Sequence, residues 1–249
     1  MNPLFFLTSD DGYYSKGYRT LLNFFKEKNI DYFSIVPSDN KSGISHAISL
    51  NKTLDLKEKE KNVYLIKGTP VDAILLTLFG NLIFKKPDII ISGINRGFNL
   101  GVDILYSGTV AAVKEGFIYG IPGIALSIGN NSGIIHWETA EFFLEKLVDY
   151  ISKNYNKLGK FLWNINIPDV ARDKIKGIEW TKLGKIHYLN PVEIIERNKK
   201  FKLGGKMNLV PETGTDVSAV LSNKISITPL NLFGTEEEEI ERRKQVSFL

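Results

Sequence analysis

Apolar and polar positions alternate along this chain in blocks that change period. An apolar run, Phe5-Phe6-Leu7, leaves the N-terminus and stops at Asp10-Asp11-Gly12. Residues 15 to 28 then carry apolar positions at helical spacing, Tyr18, Leu21, Leu22 and Phe25. Asp31 to Val36 reads as a second strand ending at Pro37, and Val63 to Ile66 as a short third. Thr69-Pro70 supplies an N-cap and a first-turn proline, which predicts a helix through Ile74, Leu75 and Leu78 to about Lys85. Asp88 to Gly93 is β-branched and apolar on both faces, the pattern of a central parallel strand. A helix is expected from Ser107-Gly108-Thr109 onward, a strand over Gly123 to Ser127, an amphipathic helix over 136–153 and a sixth strand over Phe161 to Ile167. Strands alternating with helices at this spacing predict an α/β protein with a doubly wound, mostly parallel sheet.

The pattern changes at about residue 177. Ile186 to Leu189, Glu193 to Arg197 and Phe201 to Leu203 read as β-hairpin material, an arm of the kind that mediates subunit pairing. Ile225 to Leu230 reads as a returning strand. Thr235 to Phe248 begins acidic and ends basic at Arg242, Arg243 and Lys244, which suits the dipole of a solvated terminal helix. The expected division is a catalytic core over 1–176 and an extension over 177–249 carrying the arm, the strand and the helix.

Composition narrows the chemistry. The 249 residues carry a formal net charge of +4, and the pI is about 9.0. The basic residues are spread along the chain, so a nucleic-acid partner does not follow. There is no cysteine, which removes thiol catalysis and thiolate-bound zinc, and the three histidines (His46, His136, His187) lack the spacing of a helical metal site. A metal here is held by oxygen, which favours Mg, Mn or Ca. No apolar run approaches the roughly 20 residues of a membrane span. The N-terminal residues have no basic region or cleavage site, which predicts a cytoplasmic protein.

Polar loops follow four strands: Asp10-Asp11, Ser38 to Ser45, Gly93 to Gly101, and Gly214-Thr215-Asp216. Parallel strands bring the first three to one rim. Two adjacent carboxylates are costly unless a cation neutralises them. Asp10, Asp11, the Ser42 hydroxyl and the Asn95 side-chain oxygen form a mixed oxygen set for a divalent cation. Ser42 and Asn95 equally suit ordinary turns, and Asp-Asp-Gly suits a polar turn. Ser107-Gly108-Thr109 at a helix start offers free N–H groups to a phosphate; alternatively Ser107 simply caps the helix. The spacing of Gly93, Gly97 and Gly101 matches neither a Walker A loop nor a dinucleotide fingerprint, and there is no Gly-x-Ser-x-Gly elbow. Cation oxygens and a phosphate cradle on one sheet edge suggest phosphate-ester hydrolysis by metal-activated water.

These motifs resemble the SurE family, the survival-protein E nucleotidases or acid phosphatases. The resemblance rests on Leu7-Thr8-Ser9-Asp10-Asp11-Gly12, Asn40-Lys41-Ser42-Gly43, the run Ser92 to Gly101, and Tyr106-Ser107-Gly108-Thr109-Val110-Ala111-Ala112. Asn164 to Pro168, Gly214 to Asp216 and Ser226 to Leu230 echo it more weakly. It implies a Rossmann-like three-layer core with a protruding hairpin and a C-terminal extension that together build a homodimer or homotetramer. It also implies hydrolysis of nucleoside 5′- and 3′-monophosphates with one divalent cation per subunit, Mg or Mn. Carried over, Asp10, Asp11, Ser42 and Asn95 become metal ligands, and Asn99, Ser107, Gly108 and Thr109 hold the phosphate. One of the two aspartates also orients or deprotonates the water. The chain departs from the family pattern at Tyr13-Tyr14-Ser15-Lys16-Gly17, where a segment ending Ala-Pro-Gly is usual, and at Lys41, where Arg is usual; Lys keeps the charge but loses bidentate geometry. The rival reading is a Mg-binding receiver or a nucleotide-binding module without catalysis. A receiver would need a phospho-acceptor Asp where the central strand instead ends in Ser92-Gly93.

Overall fold

The structure is a computed structural model and describes residues 3–83, 85–130, 133–197 and 199–232. The terminal helix expected over Thr235 to Phe248 lies outside the described residues.

The chain begins with β1 (Phe5–Thr8), α1 (Lys16–Glu27), β2 (Tyr32–Pro37), β3 (Leu56–Glu60), β4 (Val63–Ile66) and α2 (Pro70–Phe79). It continues with β5 (Ile89–Arg96), a 3-10 turn over Gly101–Leu105, α3 (Gly108–Ile118), β6 (Gly123–Ile128), α4 (Trp137–Leu158) and β7 (Leu162–Ile167). The remainder is β8 (Ile178–Trp180), β9 (Lys185–Leu189), β10 (Val192–Glu196), β11 (Lys200–Leu203), β12 (Lys206–Val210), α5 (Asp216–Leu221) and β13 (Ile225–Pro229).

One mixed sheet carries the fold, in the order β3-β4-β2-β1-β5-β6-β7-β13-β8. Strands β4, β2, β1, β5, β6 and β7 run parallel, whereas β3 is antiparallel to β4 and β13 antiparallel to β7. Alternate residues of β1 face opposite layers. Phe5 and Leu7 pack with Leu21, Leu22 and Phe25 of α1 and Leu144 and Leu147 of α4. Phe6 packs with Ala73 and Ile74 of α2 and Val110 and Val113 of α3. Both faces are therefore buried, as the near-continuous apolar strands require, and the result is a three-layer α/β/α sandwich of Rossmann-like type.

The chain winds from β1 outward through β2 to β4, then returns to lay β5 on the other side of β1. The loops leaving β1 and β5 consequently part in opposite directions at the carboxyl edge. Such a topological switch opens a crevice, the usual ligand position in open α/β sheets.

Some boundaries differ from expectation. The helix expected to reach Lys85 ends at Phe79, because Gly80 caps it and returns its N–H to the Leu76 carbonyl at 2.8 Å. Strand β5 runs past Gly93 to Arg96, with a register shift against β6 between Ser92 and Asn95 that accommodates the extra residues. The arm is two ladders in series: β9 pairs with β12, and β10 with β11 beyond it. On either side of the arm, β8 and β13 join the main sheet.

Candidate active site

Asp10 lies just beyond β1 and is 3% exposed. Its Oδ1 accepts a hydrogen bond from the Thr109 hydroxyl, and its backbone carbonyl accepts one from the Lys41 N–H at 2.6 Å. Gly108 makes this approach possible, since a Cβ there would come within 2.8 Å of Asp10 Cβ and 3.0 Å of Asp10 Oδ2. The first turn of α3 therefore abuts a carboxylate of the protein itself. Burial pushes the Asp10 carboxyl up to about 6; the Thr109 hydroxyl pulls it back and the neighbouring Asp11 charge pushes it further up.

Asp11 points the other way. Its Oδ1 accepts from the Ser42 hydroxyl at 3.1 Å and from the Asn40 amide at 3.5 Å, and its Oδ2 accepts from the Arg96 backbone N–H at 3.1 Å. The loops after β2 and β5 are thereby drawn onto the one after β1. Asn95 donates its amide to the Gly97 carbonyl at 2.9 Å. That fixes the side chain and leaves its oxygen without a hydrogen-bond partner among the described residues. The loop after β2 is also stapled to the approach to α3, through Ser45 N–H to the Tyr106 carbonyl at 2.9 Å and Ser45 hydroxyl to the Leu105 carbonyl at 2.6 Å.

Asn99 is buried and clamped. Its side-chain amide donates to the Ser127 hydroxyl at 2.9 Å, and its backbone N–H donates to Asn166 Oδ1 at 2.8 Å. Its carbonyl accepts from the amides of Asn164 at 2.7 Å and Asn166 at 3.0 Å. Asn164 and Asn166 are alternate residues of one strand and thus share a face. Two buried polar residues at period 2 in an otherwise apolar strand were the sequence signal for this clamp.

A cavity of about 250 Å³ opens between these loops, with Asp10, Ser42, Asn95, Asn99 and Ser107 in its wall. Gly108 and Thr109 are buried behind it, Thr109 completely. Ser107 N-caps α3, its hydroxyl accepting from the Val110 N–H at 3.1 Å. Of the eight residues singled out from the sequence, five reach the cavity wall and Asp11 flanks it through Ser42. Thr109 touches Asp10, and Gly108 makes room for it. Asp216 is placed elsewhere: it is fully buried at the head of α5, where it accepts from the N–H groups of Gly101 (2.9 Å), Gly184 (2.7 Å) and Val217 (2.8 Å) and so braces the base of the arm.

The donor set fits a hard divalent cation. Among the described residues, neither Asp10 nor Asp11 forms an ion pair with a side chain, and Asp10 is buried, while Lys16 and Arg96 line a cavity together with Asp11. No group of three or more His, Asp or Glu side chains assembles among the described residues. A cation at this place would meet carboxylate and neutral oxygens, donors of the kind that Mg and Mn accept.

Fold and site together define a class: a Rossmann-like α/β protein with an oxygen-only acidic site at the topological switch of its sheet. The family model described as Survival protein SurE matches residues 5–190, and the chain belongs to the SurE family. It is 39% identical over 246 residues to a 5′-nucleotidase SurE of Methylobacillus flagellatus, with 96% of each chain covered. It is 38% identical over 247 residues to a 5′-nucleotidase SurE of Caldanaerobacter subterraneus subsp. tengcongensis, covering 95% of this chain and 94% of the other. The crystal structure of the SurE protein from Aquifex aeolicus superposes with a TM-score of 0.83 at 35% identity, covering 97% of this chain and 98% of that one.

Proposed function

We propose that this protein is a metal-dependent phosphomonoesterase that hydrolyses nucleoside 5′-monophosphates, and 3′-monophosphates by the same chemistry, to nucleoside and phosphate. The names of its relatives support the reaction. The observation that carries it here is Asp10 in the wall of a cavity that Asn99 and Ser107 also line, with Asp11 beside it joined to the lining residue Ser42. Asp10, Asp11, Ser42 and Asn95 are the residues that would hold the cation, Mg or Mn, one per subunit. When bound, such a cation neutralises charge on the phosphoryl oxygens and acidifies water.

The protein's own groups divide the remaining work. Asn99, held rigid by Asn164, Asn166 and Ser127, would offer the phosphate the amide N–H that Ser127 does not take. Ser107 and the opening turn of α3, with Gly108 and Thr109, add the positive end of a helix dipole. Thr109 acts on Asp10 by fixing one carboxylate oxygen. The two aspartates then differ in what they have free. Both oxygens of Asp11 already accept hydrogen bonds, whereas Asp10 Oδ2 accepts none among the described residues. Asp10 Oδ2 is therefore the carboxylate oxygen left open to the cation or to the attacking water. The leaving oxygen takes its proton from solvent.

The same reading covers assembly and location: a cytoplasmic homodimer or homotetramer, paired through the arm and the residues after it, with no nucleic-acid or membrane partner. Among the described residues no helix is long and apolar enough to cross a membrane. The proposed division remains a catalytic core over 1–176 and an oligomerising extension over 177–249. Release of inorganic phosphate from AMP and GMP, with Mg or Mn and then with EDTA, tests the reaction. Metal-dependent release is expected, and its absence across a broad panel of nucleoside monophosphates overturns the reading.

A further inference from the structure

The cavity wall contains one acidic group that neither the cation set nor the phosphate set uses. Asp103 sits in the 3-10 turn between β5 and α3 and is 7% exposed, yet it lines the cavity together with Tyr188 of the arm. Its Oδ1 accepts from the Tyr188 hydroxyl at 2.9 Å. Its Oδ2 has no partner among the described residues. The contrast with Asp216 is informative, because that nearby carboxylate is saturated by three backbone N–H groups and does not reach the cavity. Asp103 has lost most of its hydration, and burial raises its carboxyl above the usual range, with Asp216 adding to the rise. A largely buried carboxylate that lines the cavity and has one oxygen without a protein donor is free to accept from a ligand.

The chemistry of that donor is restricted. A carboxylate repels a phosphate dianion, so Asp103 does not face the reacting group. A second bound cation is a poor match, since only one carboxylate is present at this point of the wall. A neutral hydroxyl fits, and a sugar diol fits best because one carboxylate can accept from both hydroxyls. We propose that Asp103, positioned by Tyr188, accepts hydrogen bonds from the ribose hydroxyls of a nucleoside 5′-monophosphate and makes this a site that prefers ribonucleoside over deoxyribonucleoside 5′-monophosphates. The inference rests on the phosphomonoesterase reading and adds the sugar to it. It also gives the arm a role at the cavity, since Tyr188 comes from β9.

The test compares kcat and KM for AMP, 2′-deoxy-AMP, 2′,3′-dideoxy-AMP and the sugar-free p-nitrophenyl phosphate, in the metal-supplemented wild type, Asp103→Asn and Tyr188→Phe. Asn at 103 keeps an oxygen for Tyr188 while placing an N–H donor where Oδ2 stood, so the arm contact survives and the hydroxyl acceptor is lost. The wild type is expected to favour AMP over the dideoxy analogue by about ten- to a hundredfold in kcat/KM, the range of a hydrogen bond to a charged group. Asp103→Asn is expected to bring the two substrates within about threefold of each other, mainly through KM for AMP, with p-nitrophenyl phosphate changed less than about twofold. Tyr188→Phe removes the bond that positions Asp103 and is expected to reduce the preference for AMP, by less than Asp103→Asn does. A wild type that treats AMP and its deoxy analogues alike overturns the inference and leaves the phosphatase intact. An Asp103→Asn variant that slows every substrate equally shows a structural role for Asp103 and likewise overturns it. If neither AMP nor p-nitrophenyl phosphate is hydrolysed by the wild type with any divalent cation, the underlying reaction fails, and this inference with it.

Discussion

At the scale of single residues, Asp10 carries the sharpest consequences. Its carboxyl is raised to about 6 in the fold, so the metal-free protein is stabilised while Asp10 is protonated and loses that stability as pH rises from about 4 through about 6. Asp10→Asn removes the penalty. In EDTA at pH 8 the variant should be more stable than wild type by up to about 3 kcal/mol, from a shift of about two pH units at 1.36 kcal/mol each. At pH 4 the two should be equal. Thermal unfolding at both pH values checks this, and phosphate release by the same variant should fall by at least about a thousandfold. A cation competes with the same proton, so Mg or Mn affinity should weaken about tenfold per pH unit below 6, readable by calorimetric titration. Thr109→Val removes the hydroxyl that holds Asp10 Oδ1 and should weaken metal binding by about ten- to a hundredfold. The aspartate pair was legible in the sequence because two adjacent carboxylates at the end of an apolar strand repel each other and call for a cation. The contact between Thr109 and Asp10 was not, because Asp10 lies 99 positions away and only the packing of α3 on the sheet joins them.

At the scale of elements, the opening turn of α3 shows how a helix start can serve a side chain before it serves a ligand. Gly108→Ala introduces a better helix former, but its Cβ would lie within 3.0 Å of both Asp10 and Ile44. The variant should therefore lose metal affinity, with Tm lowered by no more than a few degrees; a variant with normal affinity would separate Gly108 from the site. Most elements followed from apolar periodicity, and those that did not have identifiable reasons. Strand β3 reads Leu-Lys-Glu-Lys-Glu, an edge strand whose charges discourage further pairing and which gives no apolar signal. It is held to α1 by Glu60, which accepts from Lys26 at 2.5 Å and from the Tyr13 hydroxyl at 3.1 Å. Leu82 and Ile83 continue the apolar spacing of α2 beyond its glycine cap, which made the helix read long. The six-residue α5 is too short to show a period, so Thr215 and Asp216 read as loop although they open a helix.

At the scale of the whole molecule, the arm leaves much apolar surface uncovered. Ile194 is 65% exposed and Leu203 81% exposed, with Ile195 and Phe201 exposed beside them. A patch of this kind marks a contact surface. Replacing Ile194 and Leu203 by Lys should shift the protein toward a smaller species in sedimentation velocity while the circular dichroism of the core stays unchanged. The order of strands in the sheet could not be read from the chain, because parallel pairing is set by crossovers and leaves no local mark. That order has a further consequence for biosynthesis. The carboxylate pair and its companions Ser42 and Asn95 are all on the chain once the ribosome has released residue 96. The clamp on Asn99 waits for Ser127, Asn164 and Asn166, and β13 closes the sheet against β7 only near the end. The donors proposed for the cation are therefore synthesised well before the groups that fix Asn99. The rigidity of Asn99 thus depends on strands that are made late in the chain.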